Sequence, residues 1–126
     1  MPPDRSTRIG SYLVSNPVQL RTERPTPNCV VLSVLGEIDL VTVPGLEAAI
    51  AEHVAAAPCL VIDLSSVTFF GSIGLAAIMR AMTLAGDRGT KLRLVAGPRV
   101  LRTMAVTKTT ELFTVHDTVQ DALSSY

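Results

Sequence analysis

The stretch Cys59-Leu60-Val61-Ile62-Asp63-Leu64 constrains the fold of this chain more than any other. It is too short for a helix of ordinary length, and its β-branched side chains favour an extended backbone. A strand with one wet face alternates apolar and polar residues. This one is apolar at almost every position, so both of its faces must be covered. Strands of that kind belong to parallel sheets, which need crossover connections, usually helical and right-handed. The rest of the chain is therefore expected to supply strands and helices in alternation.

The flanking sequence meets that expectation. Residues Val18 to Glu23 alternate like a half-exposed strand, and Pro25, Thr26, Pro27 and Asn28 form a turn cluster. Cys29 to Leu35 reads as a second strand ending at Gly36, paired antiparallel with the first. Thr42 and Pro44 open a helix whose Leu46, Ala49, Ile50, His53 and Val54 share one face as far as Pro58. A second helix is expected from Ser72 to about Ala85, ended by Gly86 and Gly89, and then an alternating strand from Lys91 to Val95. Pro98 opens a short helix with Val100, Leu101 and Met104 inward, and Leu112 to Val115 reads as a last strand. Asp117 is placed to cap a final helix, with Gln120 three residues on in a capping-box arrangement. The prediction is a single α/β domain over residues 11–126. Its sheet is mixed, with the first pair antiparallel and the remainder parallel, and about four helices cover it. Residues 1–10, polar and Pro-rich, read as a disordered tail.

Charge and ligand chemistry narrow the function. Eleven basic residues balance eleven acidic ones, so the phosphate-neutralising excess that nucleic acid requires is missing, and an anionic membrane surface is disfavoured for the same reason. The longest uncharged run, residues 64–79, falls short of the ~20 residues of a spanning helix. The first ten residues carry charges and no apolar core of a signal peptide, so a cytoplasmic protein is expected. Cys29 and Cys59 read as buried free thiols at the starts of neighbouring parallel strands, a pair that oxidation could join. His53 and His116 lie far apart with no ligand at metal spacing, and no phosphate-binding glycine loop occurs, so no metal or cofactor is expected.

The junction between the buried strand and the second helix reads FFGSIGL, with Gly71, Ser72 and Gly74 around a single hydroxyl. A nucleophile elbow would carry a glycine two residues before the serine, where this chain has Phe70. The one histidine after Ser72 is His116, with Asp117 immediately beside it instead of placed to orient it. Without a positioned base Ser72 is an ordinary hydroxyl. A small serine hydrolase is thus a remote alternative, and no enzyme is expected. As a helix-start residue Ser72 suits an N-cap. It also suits a phosphate, which the orphan first-turn N–H groups would stabilise.

Three stretches together resemble the STAS domain of bacterial anti-sigma factor antagonists, from about Val18 to Leu123. They are GEIDLVTVPGLEAAI (36–50), VIDLSSVTFFGSIGL (61–75) and RVLRTMAVTKTTELFTVHDTVQDAL (99–123). The resemblance implies partner switching. In that family the unphosphorylated protein binds an anti-sigma factor, often a serine kinase of the histidine-kinase-like ATPase fold, and so frees a sigma factor. Phosphorylation of the serine at the second helix start reverses the binding. By motif that serine is Ser72, and Asp39 matches a position near it. Where the family commonly has Asp before the serine and Ser, Ala or Thr after it, this chain has Gly71 and Ile73. The alternative within binding modules is a STAS subunit of a lipid-transport complex or signalling scaffold, without a phosphoacceptor.

The second helix carries a further sign of a partner. Leu75, Ile78, Met79, Met82 and Ala85 form an inward stripe. The other side, with Ile73, Ala77, Ala81 and Leu84, is apolar too, relieved only by Arg80. An exposed apolar face marks an interface. The expected partner surface is therefore Asp39, Gly71, Ser72, Ile73, Gly74, Ala77, Arg80, Ala81 and Leu84. Glu37 and Asp39 also read as polar residues ending a strand, and Asp63 as a strand terminus bonding amides near Ser65 and Ser66.

Overall fold

The computed structural model describes residues 18–124, so the tail expected over residues 1–10 lies outside the described residues. Strands β1 (Gln19–Thr26) and β2 (Cys29–Ile38) precede helix α1 (Val43–Ala56). Strand β3 (Cys59–Phe70), helix α2 (Ser72–Arg88), strand β4 (Lys91–Ala96) and helix α3 (Pro98–Val106) follow. A 3-10 turn (Thr110–Leu112), strand β5 (Val115–His116) and helix α4 (Val119–Ser124) close the chain. One sheet runs in the order β1-β2-β3-β4-β5. Its first pair is antiparallel and the others are parallel; with four helices among the described residues, this is the mixed α/β arrangement that the sequence predicts.

β3 lies at the centre and shows why the sequence of its first half is almost wholly apolar. Leu60, Ile62 and Leu64 join the large core beneath α1, α2 and α3, together with Leu46, Ile50, Ile78, Val100 and Met104. Cys59 and Val61 point the other way, into a smaller cluster with Cys29, Val31, Val95 and Ala122, which α4 covers. Cys29 and Cys59 are register partners on β2 and β3, both buried and both free thiols. Burial, with the Cys29 thiol beside it, pushes the Cys59 thiol up to about 12. A thiol held neutral in this way is a packing residue.

Several boundaries differ from the sequence reading, each for a local reason. β2 continues through Gly36 to Ile38, and β3 continues past Leu64 to Phe70, because two register irregularities between them let the pairing resume. Gly36 takes φ 107 at this break, a conformation few other residues adopt. The bulges spoil the alternation, so Ser65 and Ser66 look like loop although both lie in the strand and Ser66 pairs with Leu35. Asp63 does bond the amide of Ser65 (2.9 Å) and its hydroxyl (2.6 Å), yet the strand runs on past it. α2 extends to Arg88 with Gly86 inside it. Gly89, at φ 71, is its left-handed cap. Leu101 lies on the exposed side of α3, and the expected strand over 112–115 is a 3-10 turn followed by a two-residue β5. α4 is capped by Thr118, whose Oγ1 accepts from the Asp121 amide at 3.0 Å, and not by Asp117.

Candidate functional site

Two loops meet at the far end of the β2–β3 pair. Glu37 is paired with Phe69 and Ile38 with Phe70. The turn after β2, which carries Asp39, and the start of α2, which carries Ser72, therefore sit side by side. A Cβ built on Gly74 would come within 2.8 Å of the Phe70 ring and 3.2 Å of Ile38 Cγ2. Gly74 is thus small for an internal reason: the first turn of α2 closes directly over the last residues of both strands.

Asp39 organises its own loop. Its Oδ1 accepts from the amides of Val41 and Thr42, both at 3.0 Å. Thr42 accepts from the Asp39 amide at 2.9 Å and donates its hydroxyl to the Glu37 carbonyl at 2.8 Å. This closed set of bonds holds Leu40 and Val41 outward at the turn, 72% and 75% exposed. A turn built to expose two adjacent large apolar side chains has no stabilising logic of its own. Phe69 at 53% and Ile73 at 39% add to the apolar rim.

Ser72 lies within this rim, exposed, in the first helical position of α2. The N-cap is Gly71, with φ −122, and no side chain caps the helix, so the reading of Ser72 as cap is corrected. The Leu75 amide reaches the Gly71 carbonyl at 3.0 Å. The amides before it, at the first three helical positions, have no intrahelical carbonyl to bond. The Ser72 hydroxyl has no protein partner among the described residues. The helix end thus keeps both its donors and its hydroxyl uncommitted.

The outer face expected for α2 is corrected as well. Ala77 and Ala81 are 1% and 4% exposed, because they form the seam with α1 beside Ile50 and Glu47. Leu84 is half-buried in the same seam, and Met79, expected inward, is at the surface. Arg80 remains exposed and bonds Glu47 of α1 at 2.7 Å, an ion pair across the two helices. Gly71, Ser72, Ile73 and Asp39 therefore gather at one end, while Ala77 and Ala81 leave the expected surface. Leu40, Val41 and Phe69 were missed by sequence reasoning. The apolar pair following the turn aspartate was the available signal.

A hydrolase site is not assembled here. His116 sits on β5, level with Val95 and hence with Asp63 of β3. Seven residues of strand separate Asp63 from Phe70, roughly 20 Å at ~3.3 Å per residue. His53 bonds Thr22 across to β1 at 3.3 Å. Among the described residues no group of three potential ligands could hold a metal, and no helix is long and apolar enough to cross a membrane.

Comparison with known proteins identifies the family and the fold. The STAS domain model matches residues 22–122. The chain belongs to the STAS-domain family of anti-sigma factor antagonists. It is 47% identical over 93 residues to anti-sigma-F factor antagonist RsfB of Mycobacterium tuberculosis, covering 69% of this chain and 75% of RsfB. The crystal structure of an anti-sigma factor antagonist from Mycobacterium paratuberculosis superposes with TM-score 0.79 at 39% identity, over 89% of this chain and 97% of that one. Unphosphorylated SpoIIAA shares the fold at TM-score 0.70 and 18% identity, over 85% of this chain and 95% of that one.

Proposed function

We propose that this protein binds an anti-sigma factor and so frees a sigma factor, and that phosphorylation of Ser72 ends the binding. The partner is a serine kinase of the histidine-kinase-like ATPase fold. The observation that carries the reading is the unbonded Ser72 hydroxyl at an uncapped helix start, inside a rim of exposed apolar side chains. A partner packed on Leu40, Val41, Phe69 and Ile73 would dehydrate the space over Ser72. A phosphate there adds about −1.5 to −2 charges, which the first-turn amides accommodate but an apolar contact does not. The modification is thus tolerated by the fold and rejected by the complex. No proton-transfer group is needed from this chain, since the kinase would supply the chemistry. Two relatives support the assignment: RsfB is an anti-sigma-F factor antagonist, and SpoIIAA has been solved in a phosphorylated form.

The test is incubation with the cognate kinase and ATP, followed by intact mass and a binding measurement. The expected result is one added phosphate, absent in Ser72→Ala, with loss of binding in step with modification. Binding that persists after full phosphorylation would overturn the switch.

A further inference from the structure

We propose that the free edge of β3 beyond Leu64 is a second docking site, which takes an extended acidic segment of a partner protein as an added strand. The inference goes beyond the switch at Ser72 and stands whether or not that residue is modified. β3 pairs with β2 as far as Phe70 but with β4 only as far as Leu64, because β4 ends at Ala96 and the chain turns at Gly97 into α3. From Ser65 to Phe70, then, the side of β3 away from β2 carries no strand among the described residues. An unpaired edge of this length offers a row of backbone donors and acceptors, and natural sheets either cover such an edge or use it to recruit a strand.

α3 stands off from this edge and leaves an open groove of about 640 Å3, lined by Val67, Phe69, Gly97, Arg99, Arg102 and Thr103 among others. α3 meets the edge at both ends of this groove. Thr103 donates to the Phe70 carbonyl at 2.7 Å and anchors α3 at the far end of the groove. At the near end a Cβ on Gly97 would meet the Ser65 carbonyl at 3.2 Å, so the two backbones approach closely there. Between these points Phe69 offers an exposed ring for an apolar side chain.

The charge of the groove selects the occupant. Arg99 and Arg102 are exposed, and neither has an ion pair among the described residues, whereas Arg80 is paired with Glu47. Among the described residues no acidic side chain lines the groove. Two guanidinium groups beside a strand edge, unpaired among the described residues, favour carboxylates on the added strand, each able to bind a fork of N–H donors.

The experiment is a titration of the isotope-labelled full chain with an acetylated, amidated hexapeptide of alternating Glu and Val, followed by amide shifts. Two control peptides carry Lys in place of Glu, or N-methyl groups on alternate residues. The expected result is saturable shifts centred on Ser65–Phe70 and Gly97–Thr103 with the acidic peptide. Binding should weaken at least tenfold in Arg99→Glu/Arg102→Glu, and both controls should bind far more weakly. Arg99→Gln/Arg102→Gln repeats the test should the charge reversal fail to fold. No saturable binding, shifts centred elsewhere, or equal binding of the lysine peptide would overturn the proposal. Equal binding of the N-methylated peptide would overturn the added strand.

Discussion

The two ends of the β2–β3 pair are finished in opposite ways. Where the strands begin, Cys29 and Cys59 face each other under α4, and Thr90 is buried with its Oγ1 3.0 Å from the Val54 carbonyl and 3.1 Å from that of Ala57. The carbonyls at the end of α1 are satisfied from within, and the apolar side chains are covered. Where the strands end, Leu40, Val41, Phe69 and Ile73 stay exposed, and α2 starts without a side-chain cap. The two ends share one sheet, so the difference is not one of folding competence. An end closed on itself contributes stability. An end left apolar and uncapped is the one the proposed function gives to the partner.

The largest effect that sharpens this contrast lies on α2, which joins both regimes. Ala77→Glu places a charge in the α1–α2 seam, where the unmodified side chain is 1% exposed. Burying an unpaired carboxylate costs several kcal/mol, so denaturant unfolding should show a loss of about 3 kcal/mol or more. A melting temperature near that of wild type would mean that the seam opens and that this face of α2 belongs to the partner surface.

Ser72→Asp probes the opposite end. The carboxylate sits at a helix N-terminus, so the fold should be unchanged or gain ~0.3–1 kcal/mol. Affinity for the anti-sigma factor should fall about a hundredfold, since 1.4 kcal/mol is a factor of ten and an unpaired interfacial charge costs several. Wild-type affinity in calorimetry would remove Ser72 from the interface. Ser72→Ala is expected to cost little stability, because Ser72 is not the cap.

A smaller effect belongs to the closed end. Thr90→Val keeps the shape of the side chain and deletes its hydroxyl, leaving the Val54 and Ala57 carbonyls without that donor. The expected loss is ~1–3 kcal/mol, with affinity unchanged. A fall in affinity as large as that from Ser72→Asp would show that the two ends are coupled.

The closed end was legible in the sequence because burial on both faces leaves a nearly continuous apolar run, as in Cys59–Leu64. The open end was legible only in part. Ser72 was found through the glycines around it, but Gly74 turned out to accommodate the Phe70 ring and not an incoming surface. Periodicity located α2, yet a helix wedged between a sheet and a second helix is apolar on two sides, so the side facing α1 passed for a partner surface. The small size of Ala77 and Ala81 was the missed clue, since close helix packing selects for it. The continuation of β3 to Phe70 was hidden because its pairing irregularities break the two-residue alternation by which strands are recognised.

The finest test of the comparison is Gly71→Asp. Gly71 is the N-cap of α2 at φ −122, where any residue is at ease, and a Cβ there would meet only the Phe69 ring at an ordinary 3.6 Å. Aspartate is a good N-cap and exceeds glycine by a few tenths of a kcal/mol, so thermal unfolding should rise slightly. The substitution also places a carboxylate immediately before Ser72, where the motif resemblance leads one to expect it. If the kinase reads that carboxylate, the initial rate of phosphate transfer to Ser72, followed by intact mass, should increase over wild type while affinity for the unmodified protein changes little. An unchanged rate would mean that the kinase recognises the apolar rim and the helix start alone. A clear loss of affinity would mean that the partner packs onto Gly71 itself, making this glycine part of the open end and not merely its hinge.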